Sequence, residues 1–295
     1  MDEVLQHVIN AVSIGSLYAL LALGVALIYG VMSLINFAHG ELIMIGGYAL
    51  VVLQQPPLPI LILGVVVVVV AFALTMERAA FRPVRGADIT TLLITSFAVS
   101  FLCQNLAILI FGARPKSYSL APSVTNSSLS IGAIEVPWVN VITIIVTMIL
   151  VGGLIYFLGR TRLGVQMRAA AQDFEAARLC GVSANRIIAL AFAISGILAA
   201  GSALLIVAQF GTISPQMGLA PVIIAFIATV VGGLGSLTGA AAGGFLLGAL
   251  TILLEVILPV ELRPYRDAFL FSIVIAILVF RPQGLIPSTT GEVKL

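Results

Sequence analysis

The sequence predicts an all-α integral membrane protein, a polytopic bundle of about eight to nine spans with short broken helices. Three observations carry this. Of 295 residues, 61% are hydrophobic and only 9% are charged, against about 25% charged in soluble domains. The apolar residues fall into long uninterrupted runs separated by Gly, Pro and polar breaks. The arginines gather in a few of those breaks and nowhere inside the runs. In lipid every backbone polar group must be satisfied internally, which makes each run a helix.

The first run, 8–31, is long enough to span. Met1-Asp2-Glu3 is acidic and no Lys or Arg precedes Arg78, whereas a signal peptide opens with a basic region. This run is therefore expected to remain as a span. A polar break from Asn36 to Glu41 leads to a short segment, 42–55, closed by Gln54-Gln55-Pro56-Pro57. Spans are expected at 58–76 and 89–111, joined by the loop from Arg78 to Asp88 with Arg82 and Arg85. After the Ser-, Asn- and Pro-rich stretch 113–136 come 137–158 and 187–209, then shorter runs at 221–233, 240–258 and 267–280. The short Gly-interrupted segments near 30–47 and 232–248 suggest two related halves with discontinuous helices.

Short Arg- and Lys-rich loops stay on the cytoplasmic side. That rule places the 78–88 and 159–186 loops inside and 113–136 outside. Arg281 and Lys294 favour a cytoplasmic C-terminus, so the N-terminus is expected outside and the number of crossings odd. The net charge of +2 gives no reason to expect a nucleic-acid partner. Cys103 and Cys180 form no disulfide framework, and His7 and His39 stand without a ligand cluster, so neither metal nor cofactor is expected.

The 159–186 loop holds five of the fourteen basic residues: Arg160, Arg162, Arg168, Arg178 and Arg186. A helix is expected over about 164–181. On a helical wheel Met167, Ala170, Phe174 and Ala177 share one face, and Arg168, Gln172, Glu175 and Arg178 another. Glu175 and Arg178 are spaced for a side-chain pair. Gly181 is placed to end the helix in a left-handed cap and Ser183 to start the next. Such a helix either rests on lipid headgroups or seats in a cytoplasmic partner.

Asn36, His39 and Glu41 are expected near the cytoplasmic end of the bundle, as a capping and packing turn or as a lining of the inner mouth. Gly232, Gly233, Gly235 and Ser236 read either as close helix packing or as unwound backbone facing the pathway. Glu255 reads as an interfacial group. Arg114, Lys116, Glu135, Glu261, Arg263, Arg266 and Asp267 read as an outer surface, either solvated or docking a binding protein.

Glu175-Ala176-Ala177-x-x-x-Gly181 resembles the EAA signature of ABC-importer permeases, without the Ile and Leu-Pro pair that follow in the full pattern. Gly15-Ser16-Leu17-Tyr18-Ala19-Leu20, Ala22-Leu23-Gly24 and Tyr29-Gly30 resemble one branch of that family. So do Ile35-Asn36-Phe37-Ala38-His39-Gly40-Glu41, Ile45-Gly46-Gly47-Tyr48, Tyr265-Arg266-Asp267-Ala268 and Phe280-Arg281-Pro282-Gln283-Gly284. The branch is that of branched-chain amino acid permeases, H-type subunit, with relatives that carry urea and other amides. The resemblance implies an inner-membrane permease domain over 1–295. Its partners would be a second, M-type permease, ATPase subunits docked on the 164–181 helix through Arg168, Gln172, Glu175, Ala176, Ala177, Arg178 and Gly181, and a periplasmic solute-binding protein.

The chain has two lysines, Lys116 and Lys294, and neither follows a Gly-x-x-x-x-Gly frame. It therefore carries no P-loop, and any ATP must be bound by another subunit. Two other classes remain as alternatives. A secondary transporter needs midplane ion sites, for which Glu41 and Glu255 are the candidates. A passive channel needs no docking helix, and the Glu175–Gly181 signature argues against both.

Overall fold

The computed structural model describes residues 2–53, 56–125, 127–131 and 134–286. The Gln54-Gln55 break and Lys294 lie outside these described residues. Within the described residues, every apolar run read from the sequence is helical. In chain order they are α1 Asp2–Met32, α2 His39–Val52, α3 Leu58–Met76, α4 Ile89–Phe111 and the single turn α5 Pro122–Thr125. Then come α6 Trp138–Arg160, α7 Arg162–Gln172, α8 Phe174–Leu179, α9 Ala184–Phe210, α10 Leu219–Gly232, α11 Leu237–Ile257 and α12 Arg266–Phe280. A π-helical turn, Glu77–Phe81, continues α3.

Six of these are long and apolar enough to cross a membrane: α1, α3 with its π turn, α4, α6, α9 and α11. They divide by burial. The apolar cores of α1 and α9 are 78% and 72% buried, whereas those of α3, α4 and α6 are 22% buried. The first two form the centre of the bundle and the other three its exposed rim. On α11, Gly244 and Gly248 sit against α1 so closely that a Cβ would stand 2.4 Å from the Ala19 Cα and 2.3 Å from the Gly15 Cα, respectively. Small residues four apart admit this backbone approach.

The helices α2 and α10 have 14 residues each, or about 21 Å at 1.5 Å per residue, too short for a hydrocarbon core of about 30 Å. Each follows a long central helix through a break, 33–38 after α1 and 211–218 after α9. This pairing corrects the expected one. The second discontinuity is at 211–218, and the glycine cluster at 232–239 is a tight turn between α10 and α11. Glycine enrichment signals close packing as readily as a chain break, while the true break holds only Gly211 and Gly218 around Pro215.

The two short sheets lie at one end of the bundle. Strand β1 Lys116–Ser117 pairs antiparallel with β4 Thr212–Ile213, in register Lys116↔Ile213, and β2 Ser128–Ile131 pairs with β3 Ile134–Pro137. Helices α7 and α8 lie at the opposite end. There Asp88 caps α4: its carboxylate accepts from the Thr91 hydroxyl at 2.6 Å and the Thr91 amide at 3.2 Å, which holds the carboxyl below its usual range.

Candidate functional site

The two broken helices meet inside the bundle. The first turn of α2 crosses the residue preceding α10 so tightly that a Cβ on Gly218 would lie 2.0 Å from the Gly40 carbonyl oxygen. Conversely, a Cβ on Gly40 would meet the Gly218 carbonyl oxygen at 2.4 Å, so the contact is backbone against backbone and no side chain of any size fits between them.

Asn36, His39 and Glu41 surround this crossing, each no more than 1% exposed. The Asn36 Oδ1 accepts from the Ala38 amide at 3.1 Å. The His39 ring fills the space a side chain at Gly24 would need, with Nδ1 3.0 Å from the Ser195 Oγ. Glu41 Oε1 accepts from Ser100 Oγ at 2.7 Å and from Gln104 Nε2 at 2.8 Å. Ser195 and Ser100 lie near the middle of α9 and α4, so the three residues sit deep in the bundle and not at its end as expected. The non-helical stretch 33–38, opened by Ser33 at φ +52°, turns back inward from the end of α1 and carries them there. These are packing bonds within the bundle: α2 has no side-chain cap at its N-cap residue Ala38, and none of the three borders the cavities described next.

At the sheet end, a cavity of about 340 Å³ opens between the first half of α1, the end of α9 and the start of α10. Leu17, Leu21, Ile206, Met217 and Ile224 give it an apolar wall, and Gln209, Thr212 and Ser214 a polar edge. Ala220 and Pro221 bring the first turn of α10 to its floor. The sequence reading missed this cavity. Its one linear signal is the polar, helix-breaking stretch from Thr212 to Pro215 after the apolar run of α9.

At the opposite end the expected single helix over 164–181 is two. Thr161 starts α7 by accepting from the Gly164 amide at 3.0 Å. Asp173 then interrupts it and caps α8, its Oδ1 accepting from the Ala176 amide at 2.9 Å. A short acidic side chain within bonding reach of its own backbone offers an alternative to continuing the helix. Gly181 does take a left-handed conformation, φ +85°, and the Val182 amide bonds to the Ala177 carbonyl at 3.0 Å to close the cap. Ser183 stands at the N-cap of α9 without a side-chain bond.

Met167, Ala170 and Ala177 are buried against the bundle, while Arg168, Gln172, Glu175, Ala176, Arg178 and Gly181 are exposed. Ala177 is thus a packing residue and not part of the exposed set. The Glu175–Arg178 ion pair does not form. Leu179, which the sequence reading passed over, is 91% exposed on the same helix. A cavity of about 670 Å³ lies beneath, between α8 and the 82–88 turn.

Gly232, Gly233, Gly235 and Ser236 belong to the α10–α11 turn, far from the crossing of the broken helices. A Cβ at Gly232 would meet the Gly239 carbonyl oxygen at 2.0 Å, and the Ser236 hydroxyl accepts from the Gly239 amide at 3.0 Å. Close packing is the reading that this geometry supports, although Gly235 borders a smaller cavity under α7. Glu255 is exposed and lies 3.6 Å from Arg266. Among the described residues no group of three or more His, Cys, Asp or Glu side chains is arranged to hold a metal.

The family model described as "Branched-chain amino acid transport system / permease component" matches residues 7–278. The chain belongs to that family. BraD of Pseudomonas aeruginosa, a high-affinity branched-chain amino acid transport system permease protein, is 35% identical over 96% of this chain and 95% of its own length. LivH of Escherichia coli K12, of the same description, is 34% identical over the same shares. The probable branched-chain amino acid transport permease protein LivH of Methanocaldococcus jannaschii is 27% identical over 94% of this chain and 90% of its own. No solved structure matches. These likenesses span nearly the whole permease and bear out the reading of the chain as the membrane permease subunit of an ABC importer.

Proposed function

We propose that this permease carries branched-chain amino acids across the bacterial inner membrane, as a single transmembrane domain over 1–295 with its N-terminus outside and its C-terminus in the cytoplasm. Helices α2, α10 and α12, with the non-helical approaches to the first two, add to the six long helices for roughly nine traverses. The sheet end then faces outward, and α7 and α8 face the cytoplasm, where the arginines lie. The observation that carries this reading is the outward cavity built on a broken helix.

A branched-chain amino acid is a zwitterion with an apolar tail. The Leu17, Leu21, Ile206 and Met217 wall accepts the tail, whose burial contributes about 1.5–3 kcal/mol. The N-terminal turn of α10 on the cavity floor carries the positive end of a helix dipole, which suits the carboxylate. A periplasmic binding protein delivers the solute, and a second, M-type permease completes the path. Partner ATPases bind and hydrolyse ATP, and their closure pushes on α7 and α8 through Arg168, Gln172, Glu175, Ala176, Arg178 and Gly181.

The test is uptake by the purified complex in proteoliposomes. Wild-type complex should concentrate radiolabelled leucine when ATP is supplied inside, and Ala220→Trp should reduce that uptake at least tenfold while the ATPases still co-purify. Undiminished uptake by Ala220→Trp would remove the cavity from the path, and uptake of urea in place of leucine would reassign the solute. Orientation has its own check. In a Cys180→Ala background, Thr125→Cys should react with an impermeant maleimide only from outside and Gln172→Cys only from inside. Labelling of both from one side refutes the orientation.

A further inference from the structure

Two sets of polar contacts, one in the turn before α4 and one at its middle, tie α4 to opposite parts of the machinery, and neither lies in the outward cavity. At the α7–α8 end, Glu77 opens the π-helical turn after α3 with a side chain only 5% exposed. π turns cluster at functional sites because they re-aim one side chain within a continuous helix. Arg85, in the turn before α4, donates through Nη2 to Glu77 Oε1 and through Nη1 to Asn185 Oδ1 at 2.6 Å. Asn185 is the second residue of α9, directly after the Gly181 cap of α8. The same turn is held to α9 by Phe81 against Phe192, ring centroids 5.5 Å apart. Midway along α4, Ser100 and Gln104 both bond to Glu41, in the first turn of α2 beside the Gly40–Gly218 crossing.

We propose that α4 is a connecting rod between the coupling loop and the broken helix α2, with Arg85 the joint in the turn before it and Glu41 the joint at its middle. The membrane run of α4 is only 22% buried, and its ring contacts lead to the same broken helix and the stretch before it: Phe97 stacks on Phe37 at 4.5 Å and Phe111 on Tyr48 at 4.2 Å. A rim helix with so little packing follows whatever holds it by specific bonds. A displacement of α8 reaches Asn185 through the short 180–183 connection. Arg85 passes it to α4, and Ser100 and Gln104 pass it to Glu41. Glu77 keeps the Arg85 guanidinium aimed at Asn185. This accounts for a carboxylate at position 41, deep in the bundle, where an apolar residue would pack without the burden of desolvation. The proposal rests on the reading of α7 and α8 as the ATPase seat.

The decisive variants leave no buried charge unpaired. Asn185 is exposed, so Asn185→Ala removes one end of the link and keeps the Glu77–Arg85 pair. Ser100→Ala loosens the other end and leaves Gln104 on Glu41. In the reconstituted complex each should lower leucine taken up per ATP hydrolysed at least threefold, and Asn185→Asp, which still accepts from Arg85, should restore the ratio. A wild-type ratio in either alanine variant overturns the rod. The seat is tested separately with the native thiol of Cys180, which is exposed while Cys103 is buried. A bifunctional reagent should join Cys180 to the ATPase in wild type and in Asn185→Ala alike. A wild-type complex without that cross-link overturns the seat and the rod with it. A normal cross-link with an unchanged ratio overturns the rod alone.

Discussion

Gly218→Ala is expected to abolish uptake, with a loss of at least a hundredfold. The methyl group would lie 2.0 Å from the Gly40 carbonyl oxygen and 2.5 Å from its carbon, well inside van der Waals contact. In the reverse direction a Cβ on Gly40 would meet the Gly218 carbonyl oxygen at 2.4 Å. The obstacle on each side is main chain, so no rotamer change relieves it, and α2 and α10 must separate by more than an ångström. Overpacking of a filled interior costs about 1–3 kcal/mol when side chains can yield, and here they cannot. The crossing also positions the first turn of α10 at the cavity floor, so even a variant that inserts loses the geometry of the path. Gly152→Ala is the control. Gly152 is helical with nothing within 4 Å of its added Cβ, and the change should stabilise α6 by about 0.5–1 kcal/mol. Uptake and thermal unfolding of the two variants decide the matter: a transporting Gly218→Ala protein would mean that the broken helices do not touch.

That crossing also marks where the sequence stops being readable. Helices were legible because lipid leaves the backbone no alternative and fixes the length of an apolar run, so each run became a helix within a few residues. The first break was legible because Asn36, His39 and Glu41 interrupt hydrophobic sequence with polar groups that need a reason to be there. Their depth was not, since a residue's distance from the membrane surface depends on the non-helical 33–38 stretch turning back into the bundle. The second break was assigned to the wrong glycines: Gly232, Gly233 and Gly235 outnumber Gly211 and Gly218 but form an ordinary tight turn. In the coupling loop, the buried face of Met167, Ala170 and Ala177 and the Gly181 cap followed from helical spacing. The interruption at Asp173 did not, because the wheel continues smoothly through it. The cavity was invisible for a different reason. Leu17, Ile206 and Met217 come from α1, α9 and the 211–218 break, and nothing in a linear pattern says that apolar residues so far apart in sequence leave a gap where they meet.

Leu179 is the remaining residue whose meaning appears only in three dimensions, and Leu179→Asp is expected to cost the complex about thirtyfold in ATPase affinity. A leucine beside Arg178 and Cys180 reads in sequence as one more packing residue. In the structure its side chain is 91% exposed on α8, while Ala177 two positions earlier faces the bundle. The exposed neighbours Glu175 and Arg178 supply polar groups around it, which is the pattern of an interface anchor: an apolar centre with a rim that excludes water. Burying an exposed leucine side chain contributes about 1.5–3 kcal/mol, and a loss of about 2 kcal/mol is the thirtyfold figure. The substitution removes no contact within the permease, so its own unfolding should shift by no more than about 0.5 kcal/mol. Capture of the partner ATPase by the detergent-solubilised permease, titrated against wild type, measures the loss directly. Leucine-stimulated ATP hydrolysis in the reconstituted complex should fall with it. The competing role is a lipid anchor, with Leu179 dipping into the headgroup layer. Leu179→Trp separates the two, because an indole suits the interface of a bilayer but overfills a groove shaped for leucine. Retained ATPase capture in Leu179→Trp and Leu179→Asp alike would assign the side chain to lipid; loss in both assigns it to the motor.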